Sequence, residues 1–196
     1  MPQTVAALIL AAGYSRRFGG DKRQQRLDNG KTLLEASLAL PCTKLDEVWL
    51  VLRPGEPRPA SLPVTVRVVQ APGTPLGLAH SIAAGVCQIA QASSAEAVAI
   101  FLADMPFITA DTLDALLATS DAEHLCVPTF QRRPGHPVVF GRCFWPELCH
   151  LAGDSGAREV LQRHPDAVRK VPVDDPGILL DIDRPADLPA RQQGLD

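Results

Sequence analysis

The sequence predicts an α/β fold with a mostly parallel central sheet, and three observations carry that expectation. Short apolar runs recur along the chain without the polar alternation of a half-exposed strand, so they read as strands covered on both faces. Helical patterns with their own start signals separate those runs. The chain has 196 residues, 46% of them apolar, which suffices for one well-buried core and is short for two, so a single domain spanning 1–196 is expected.

The strands expected in the first half are Val5–Leu10, Val48–Leu52, Val64–Val69, Ala97–Leu102 and Leu125–Val127. Between them, Thr32-Leu-Leu-Glu35 is a capping box opening a helix toward Leu40, which Pro41 is expected to end. The run Pro54-Gly-Glu-Pro-Arg-Pro59 reads as an exposed turn, because its prolines remove donors. A second helix runs from Leu78 to Ala90. Thr109 caps a third, whose Leu113, Leu116 and Leu117 share the sheet-facing side. After Pro134 the rhythm loosens: Val138–Phe140 is a strand, Phe144–Leu151 and Ala157–Arg163 are short helices, and Val168–Val173 and Ile178–Ile182 are strands. A final helix is expected from Pro185, before a polar tail from Arg191.

A net charge of −3 argues against a surface that coats nucleic acid, so any positive field is local and suits a small anion. The five cysteines form no C-x-x-C pair, which suggests neither a zinc site nor a disulfide framework and fits a reducing cytoplasm. No basic segment precedes Val5, and Gly13 and Arg16 break the apolar run, so neither a signal peptide nor a membrane span is expected.

The densest positive field lies in Leu10-Ala-Ala-Gly-Tyr-Ser-Arg-Arg-Phe-Gly-Gly-Asp-Lys22, directly after the first strand. Gly13, Gly19 and Gly20 let backbone N–H groups approach an anion, and Arg16, Arg17 and Lys22 neutralise its charge. The loop is neither a Walker loop, since Lys22 lies between Asp21 and Arg23, nor a G-x-G-x-x-G dinucleotide fingerprint. Its spacing resembles the L-A-A-G-x-S-x-R-F-G-x-x-K signature of the MobA-like nucleotidyltransferases, especially the MocA-type molybdenum cofactor cytidylyltransferases. After Lys22 the chain departs from that pattern, with Arg23-Gln-Gln-Arg26 where the family runs through Leu-rich residues.

The resemblance covers nearly the whole chain and implies a three-layer α/β/α, Rossmann-like nucleotidyltransferase fold, with a nucleotide-binding half over about 1–106 and an acceptor half over about 107–190. Asp104 ends the fourth apolar run in Leu102-Ala-Asp-Met-Pro106, at the sheet edge where open parallel sheets bind ligands. The segment is similar to the family's L-A-D-M-P, which implies that Asp104 coordinates the magnesium bound to the nucleotide phosphates. Asp181-Ile-Asp183 looks like the family's D-I-D ending. Strand alternation places Asp181 and Asp183 on one face about 6–7 Å apart at Cα, a repulsion that a cation relieves. By motif position Asp183 is the second metal ligand and Asp181 a neighbour supporting the acceptor side; the competing use of Asp183 is to cap the helix after it.

Gly77-Leu-Ala-His-Ser81 opens the second helix and resembles the segment that lies against the nucleoside, so Gly77 and Ser81 join Leu10, Ala11, Ala12, Gly13, Arg17, Lys22 and Asp104 as nucleotide-binding candidates. Gly135-His136-Pro137 and Gly153-Asp-Ser-Gly156-Ala-Arg158 are similar to the family's G-H-P and G-D-x-G-A-R. Gly135, His136, Gly156 and Arg158 then suit a second anion pocket for the acceptor phosphate. A turn histidine packed on Pro137 and an Arg158–Asp154 ion pair are the competing uses.

These groups suit attack of an acceptor phosphate on a nucleotide α-phosphorus with loss of pyrophosphate, a reaction needing no protein nucleophile. Lys22 and Arg17 are the candidate catalytic cations. The resemblance implies Mg2+ as cofactor, CTP as the nucleotide and a molybdopterin-type acceptor; Ala12, where guanylyl enzymes have a second glycine, is the cue for CTP. Open alternatives are GTP, another phosphorylated acceptor, or a non-catalytic carrier that docks transiently on a molybdoenzyme. No nucleic-acid or membrane partner is expected, and a monomer is.

Overall fold

The computed structural model describes residues 4–14, 18, 20–73, 77–153, 156–184 and 187. In chain order its elements are β1 (Val5–Leu10), α1 (Leu33–Lys44), β2 (Glu47–Leu52), β3 (Arg67–Gln70), α2 (Leu78–Ala92), β4 (Ala97–Leu102), α3 (Ala110–Thr119), β5 (Leu125–Phe130), β6 (Arg133–Pro134), β7 (Val138–Gly141), α4 (Trp145–Cys149), α5 (Arg158–Arg163) and β8 (Val168–Pro172). Single 3-10 turns cover Lys22–Gln24 and Pro176–Leu179.

The strands form one sheet in the order β3-β2-β1-β4-β7-β5-β6, with β8 also paired to β5. β1 lies parallel to β2 and β4, β2 to β3, and β5 to β8, while β7 runs antiparallel to both its neighbours and β6 to β5. Successive β1 side chains show why helices cover both faces. Ala6, Leu8 and Leu10 enter one core with Ile82, Val86 and Ile89 of α2 and Trp145 and Leu148 of α4. Val5, Ala7 and Ile9 enter the other with Leu34 and Leu38 of α1 and Leu113 and Leu116 of α3. Every β1 residue is therefore buried, as an apolar run without alternation requires. The expected three-layer α/β/α arrangement with a mostly parallel sheet is the fold found.

The local start signals hold as well. Thr32 accepts the Glu35 N–H while Glu35 accepts the Thr32 N–H, closing the capping box, and Thr109 caps α3 through the Thr112 N–H.

Several element ends shift by a few residues, and three expectations are overturned. Pro41 does not end α1; the helix continues through Lys44, and the Leu45 N–H closes on the Pro41 carbonyl at 3.0 Å. Proline gives up its own bond to the preceding turn and crowds that turn's carbonyl, yet Pro41 is buried, and Cys42 and Leu45 pack against the core that holds Leu38. Val64 and Thr65 belong to a turn rather than a strand, with the Val66 N–H on the Pro63 carbonyl and Val64 fully in solvent, so β3 starts at Arg67. Ile178–Ile182 is not a strand. Its first residues form the turn Pro176–Leu179, and its backbone partners lie in other loops: the His136 N–H donates to the Ile178 carbonyl and the Ile182 N–H to the Asp104 carbonyl, both at 3.0 Å.

This docking demands two glycines. A Cβ on Gly135 would lie 2.3 Å from the Ile178 carbonyl oxygen, and one on Gly177 would lie 2.2 Å from the Phe107 carbonyl oxygen. Gly135→Ala is expected to cost about 1–3 kcal/mol in urea unfolding, as overpacking against backbone does. An unchanged midpoint would show that the 176–183 segment yields freely.

The helix expected from Pro185 and the tail from Arg191 lie outside the described residues. Asp187 accepts the N–H groups of Asp183 at 3.0 Å and Arg184 at 2.7 Å, so this carboxylate closes the turn after the D-I-D segment.

Candidate functional site

Parallel pairing of β1 with β4, in register from Val5↔Ala97 to Leu10↔Leu102, brings the loop after Leu10 and the segment after Leu102 to one edge of the sheet. The Ala11 N–H donates to Val51 at 3.0 Å and the Ala103 N–H to Leu10 at 3.2 Å, so both loops leave the sheet still hydrogen-bonded to it. Asp104 thus arrives beside the loop ending in Lys22.

The Lys22 ammonium joins three acceptors: Asp104 Oδ2 at 2.7 Å, Asp183 Oδ1 at 3.0 Å and the Ile182 carbonyl at 3.0 Å. An ammonium has three N–H donors, so each finds a partner. Burial pulls the Lys22 pKa down, but its bonds and charge contacts with Asp104 and Asp183 outweigh that, and the net shift is upward. Lys22 is cationic at neutral pH. The two expected metal ligands, Asp104 and Asp183, therefore share this cation, whereas the strand alternation expected to align Asp181 with Asp183 is absent because 178–182 is not a strand. Asp183 reaches Lys22 from an irregular segment, whereas Asp181 is exposed on the other side of buried Ile182.

His136 lies in the same cluster. Burial lowers its pKa against the opposing pull of Asp104, the Ile100 carbonyl and Asp181, so its ring is neutral at pH 7. Its Nδ1 is buried without a hydrogen-bond partner among the described residues. Gly135 is buried against Ile178 and fixes the position of His136.

The remaining candidates lie on the α2 side. Gly77 precedes α2, and the Ser81 hydroxyl donates back to the Gly77 carbonyl at 3.5 Å, a long bond leaving the hydroxyl adaptable. Gly156 packs on Leu78 and Ile82 at the start of α2, and Arg158 is the exposed first residue of α5. Leu10 and Ala11 are buried, Ala12 is half-buried and Gly13 is exposed. Arg16, Arg17, Gly19 and the Asp154 partner considered for Arg158 lie outside the described residues.

Asp104 and Asp183 fit the magnesium expected of them. Asp104 Oδ1 is buried with no hydrogen-bond partner among the described residues, an orphaned anionic oxygen of the kind a hard cation satisfies. No group of three or more His, Cys, Asp or Glu side chains gathers as a metal site among those residues; an ion held by two carboxylates would take its remaining ligands from phosphate and water.

Two groups escaped the sequence reading. Arg23, only 3% exposed, donates to both carboxylate oxygens of Asp21, to both of Glu56 and to the Ala11 carbonyl. The available signal was an arginine at a position where the resemblance calls for apolar residues: a buried guanidinium demands carboxylates, and of its two partners only Asp21 is near in sequence, Glu56 lying 33 residues away. The second is Asp175, which accepts from the Thr109 N–H at 2.9 Å, the Thr109 hydroxyl at 2.9 Å, the Thr112 hydroxyl at 2.7 Å and the Gly177 N–H at 2.8 Å. It ties the segment carrying Asp183 to the start of α3.

Burial pushes the Asp175 pKa up, but those hydrogen bonds outweigh it and the net shift is downward. Its contribution to stability is therefore full above the ordinary carboxylate pKa of about 3.9 and lost as pH falls through the lower folded-state value. Asp175→Asn is expected to cost about 1–3 kcal/mol at pH 7 and to make acid unfolding less steep. Parallel stability–pH curves for the two proteins would contradict this.

The described helices include none long and apolar enough to cross a membrane. The chain matches the family model for the MobA-like NTP transferase domain over residues 7–168. It is 31% identical over 193 residues to the purine catabolism protein PucB of Bacillus subtilis, covering 91% of each chain. It is 32% identical over 133 residues to a probable molybdenum cofactor guanylyltransferase of Chloroflexus aggregans, a match covering 67% of this chain and 61% of that one. Among solved structures, Rv0371c of Mycobacterium tuberculosis superposes with a TM-score of 0.78 at 27% identity, covering 94% of this chain and 95% of that one. Rv0371c has also been solved as a manganese complex. With a loop–carboxylate site at the edge of a mostly parallel sheet and a family match over most of its length, the chain belongs to the MobA-like NTP transferase family and is a nucleotidyltransferase.

Proposed function

We propose that the protein transfers CMP from CTP to the terminal phosphate of a molybdopterin-type acceptor, releasing pyrophosphate in a magnesium-dependent reaction. The observation that carries this reading is the Lys22 ammonium held between Asp104 and Asp183 at the end of the glycine loop. An acceptor phosphate oxygen forms a new bond to the α-phosphorus as the α–β bridging P–O bond breaks, and the electron pair leaves with pyrophosphate. The acceptor is already anionic near neutral pH, so the protein's task is positioning and charge neutralisation.

In this reading Leu10 to Gly13, Gly77 and Ser81 seat the nucleoside and its phosphates. Lys22 and Arg17 stabilise charge growing on the transferring group and on pyrophosphate. Asp104 and Asp183 would hold the magnesium, which when bound neutralises phosphate charge as a Lewis acid. Gly135, His136, Gly156, Arg158 and Asp181 face the acceptor, and neutral His136 offers it hydrogen bonding rather than charge.

Ala12 supports CTP. The guanylyltransferase name of the Chloroflexus relative supports GTP as the second reading. A matrix of CTP, GTP, ATP and UTP against molybdopterin, its molybdenum-loaded form and unrelated phosphate monoesters, scored by pyrophosphate release, tests both. CTP with a molybdopterin-type acceptor should give the highest kcat/KM. A GTP optimum would transfer the reading to guanylyl chemistry, and stoichiometric binding without release would identify a carrier.

A further inference from the structure

Arg23 lies behind the nucleotide loop, with its side chain 4% exposed, and its two forks each grip a carboxylate. Asp21 in turn accepts from Arg53 Nη1 at 3.2 Å. The four groups Asp21, Arg23, Arg53 and Glu56 carry two positive and two negative charges. Such a cluster adds little net field to the site, so whatever it contributes is geometric.

Its free donors turn to the loop backbone. Arg23 Nη1 donates to the Ala11 carbonyl at 2.7 Å, and Arg53 Nε donates to the Gly13 carbonyl at 3.2 Å. In a planar trans peptide the next N–H points opposite to the carbonyl. Holding the Ala11 and Gly13 carbonyls against the two guanidiniums therefore turns the Ala12 and Tyr14 N–H groups away from the cluster. Neither N–H donates to another described residue. Asp21 also caps the turn Lys22–Gln24 by accepting the Arg23 N–H at 3.2 Å, so the residues on both sides of Lys22 are pinned to the same cluster.

We infer that Arg23 is a positioning residue for the nucleotide loop: braced by Asp21 and Glu56, it aims the Ala12 N–H at the nucleotide and fixes the backbone that carries Lys22. The inference rests on the nucleotidyl-transfer reading and adds to it a residue that touches no substrate. It accounts for Arg23 standing where the resemblance calls for apolar residues, since an apolar side chain could fill the space but could not orient the Ala11 carbonyl.

The test compares wild type, Arg23→Lys and Glu56→Gln by calorimetric titration with CTP and magnesium, with the folded fraction measured separately by thermal unfolding. Lysine keeps the charge but cannot fork onto two carboxylates and a carbonyl. Arg23→Lys should weaken CTP binding per folded molecule at least tenfold and leave the acceptor KM unchanged. Glu56→Gln, which keeps the Arg23–Asp21 pair and the side-chain shape, should weaken it severalfold and serves where Arg23→Lys does not fold. A merely structural role would lower the folded fraction and leave the CTP affinity of folded molecules intact. That result, or equal rises in both substrate constants, overturns the inference. Wild-type protein that binds no nucleoside triphosphate overturns the underlying reading and the inference with it, whereas wild-type binding with unchanged variant affinity overturns the inference alone.

Discussion

Lys22→Met is expected to lower turnover about a hundred- to a thousandfold while the protein still unfolds cooperatively, the loss typical of removing one preorganised charge from a reacting centre. Methionine keeps the chain length and removes the ammonium. Lys22 holds Asp104 and Asp183 at 2.7 and 3.0 Å, so on the proposed reading phosphate and metal would enter as these bonds are exchanged. The same substitution should therefore raise the affinity of nucleotide-free protein for Mn2+, because no ammonium competes for the two carboxylates. Steady-state pyrophosphate release and Mn2+ titration by electron paramagnetic resonance check the two halves of the expectation. Turnover near wild type would remove Lys22 from the chemistry, and unchanged Mn2+ affinity would remove it from competition with the metal.

Asp104→Asn should have an effect of similar size, roughly two to three orders of magnitude in kcat. The amide preserves shape, and the bond from the Ile182 N–H to the Asp104 backbone carbonyl remains, so the 180–183 segment keeps its seat. What is lost is the anionic charge and the buried Oδ1 that suits a cation. Asp181→Asn is the informative companion. Asp181 is exposed, absent from the acceptors of Lys22 and proposed to face the acceptor, so its loss should change kcat less than about threefold and act on the acceptor KM instead. Equal losses for Asp104→Asn and Asp181→Asn in the same assay would show that proximity to Lys22 does not select the working carboxylate.

The sheet was legible in the sequence wherever a strand is buried on both faces. The run Val5–Leu10 has no polar residue to mislead, and its burial is complete. The helix starts were legible because capping is local, as at Thr32 and Thr109. Less legible were segments whose hydrogen bonds are made at long range. Ile178–Ile182 has a strand's composition, but its partners are His136 and Asp104, and only the fold reveals that they are near. Pro41 misled because a helix-breaking preference is local, whereas the packing that overrides it is not.

The site shows the same division. Lys22, Asp104 and Asp183 could be singled out because each lies in a motif, and the structure joins them through one ammonium. That the cation between the carboxylates is Lys22 itself could not be read from motifs 82 and 161 residues apart from it. Arg23 was noticed only as a departure from the family pattern. Its carboxylate partner Glu56 lies in the Pro-Gly-Glu turn, which reads as a solvent loop because turn composition says nothing about what one of its side chains reaches.

Moving a nucleotidyl group, rather than merely holding a nucleotide, separates a transferase from a carrier at this site. Incubating the protein with α-phosphorus-labelled CTP, magnesium and molybdopterin, then separating the products, tests it most directly. The label should appear in the acceptor, joined through a new phosphoanhydride bond, with one pyrophosphate released per label transferred and with both signals about a hundred- to a thousandfold slower in Lys22→Met. Label remaining in CTP, or released as free CMP without a labelled acceptor, would contradict transfer.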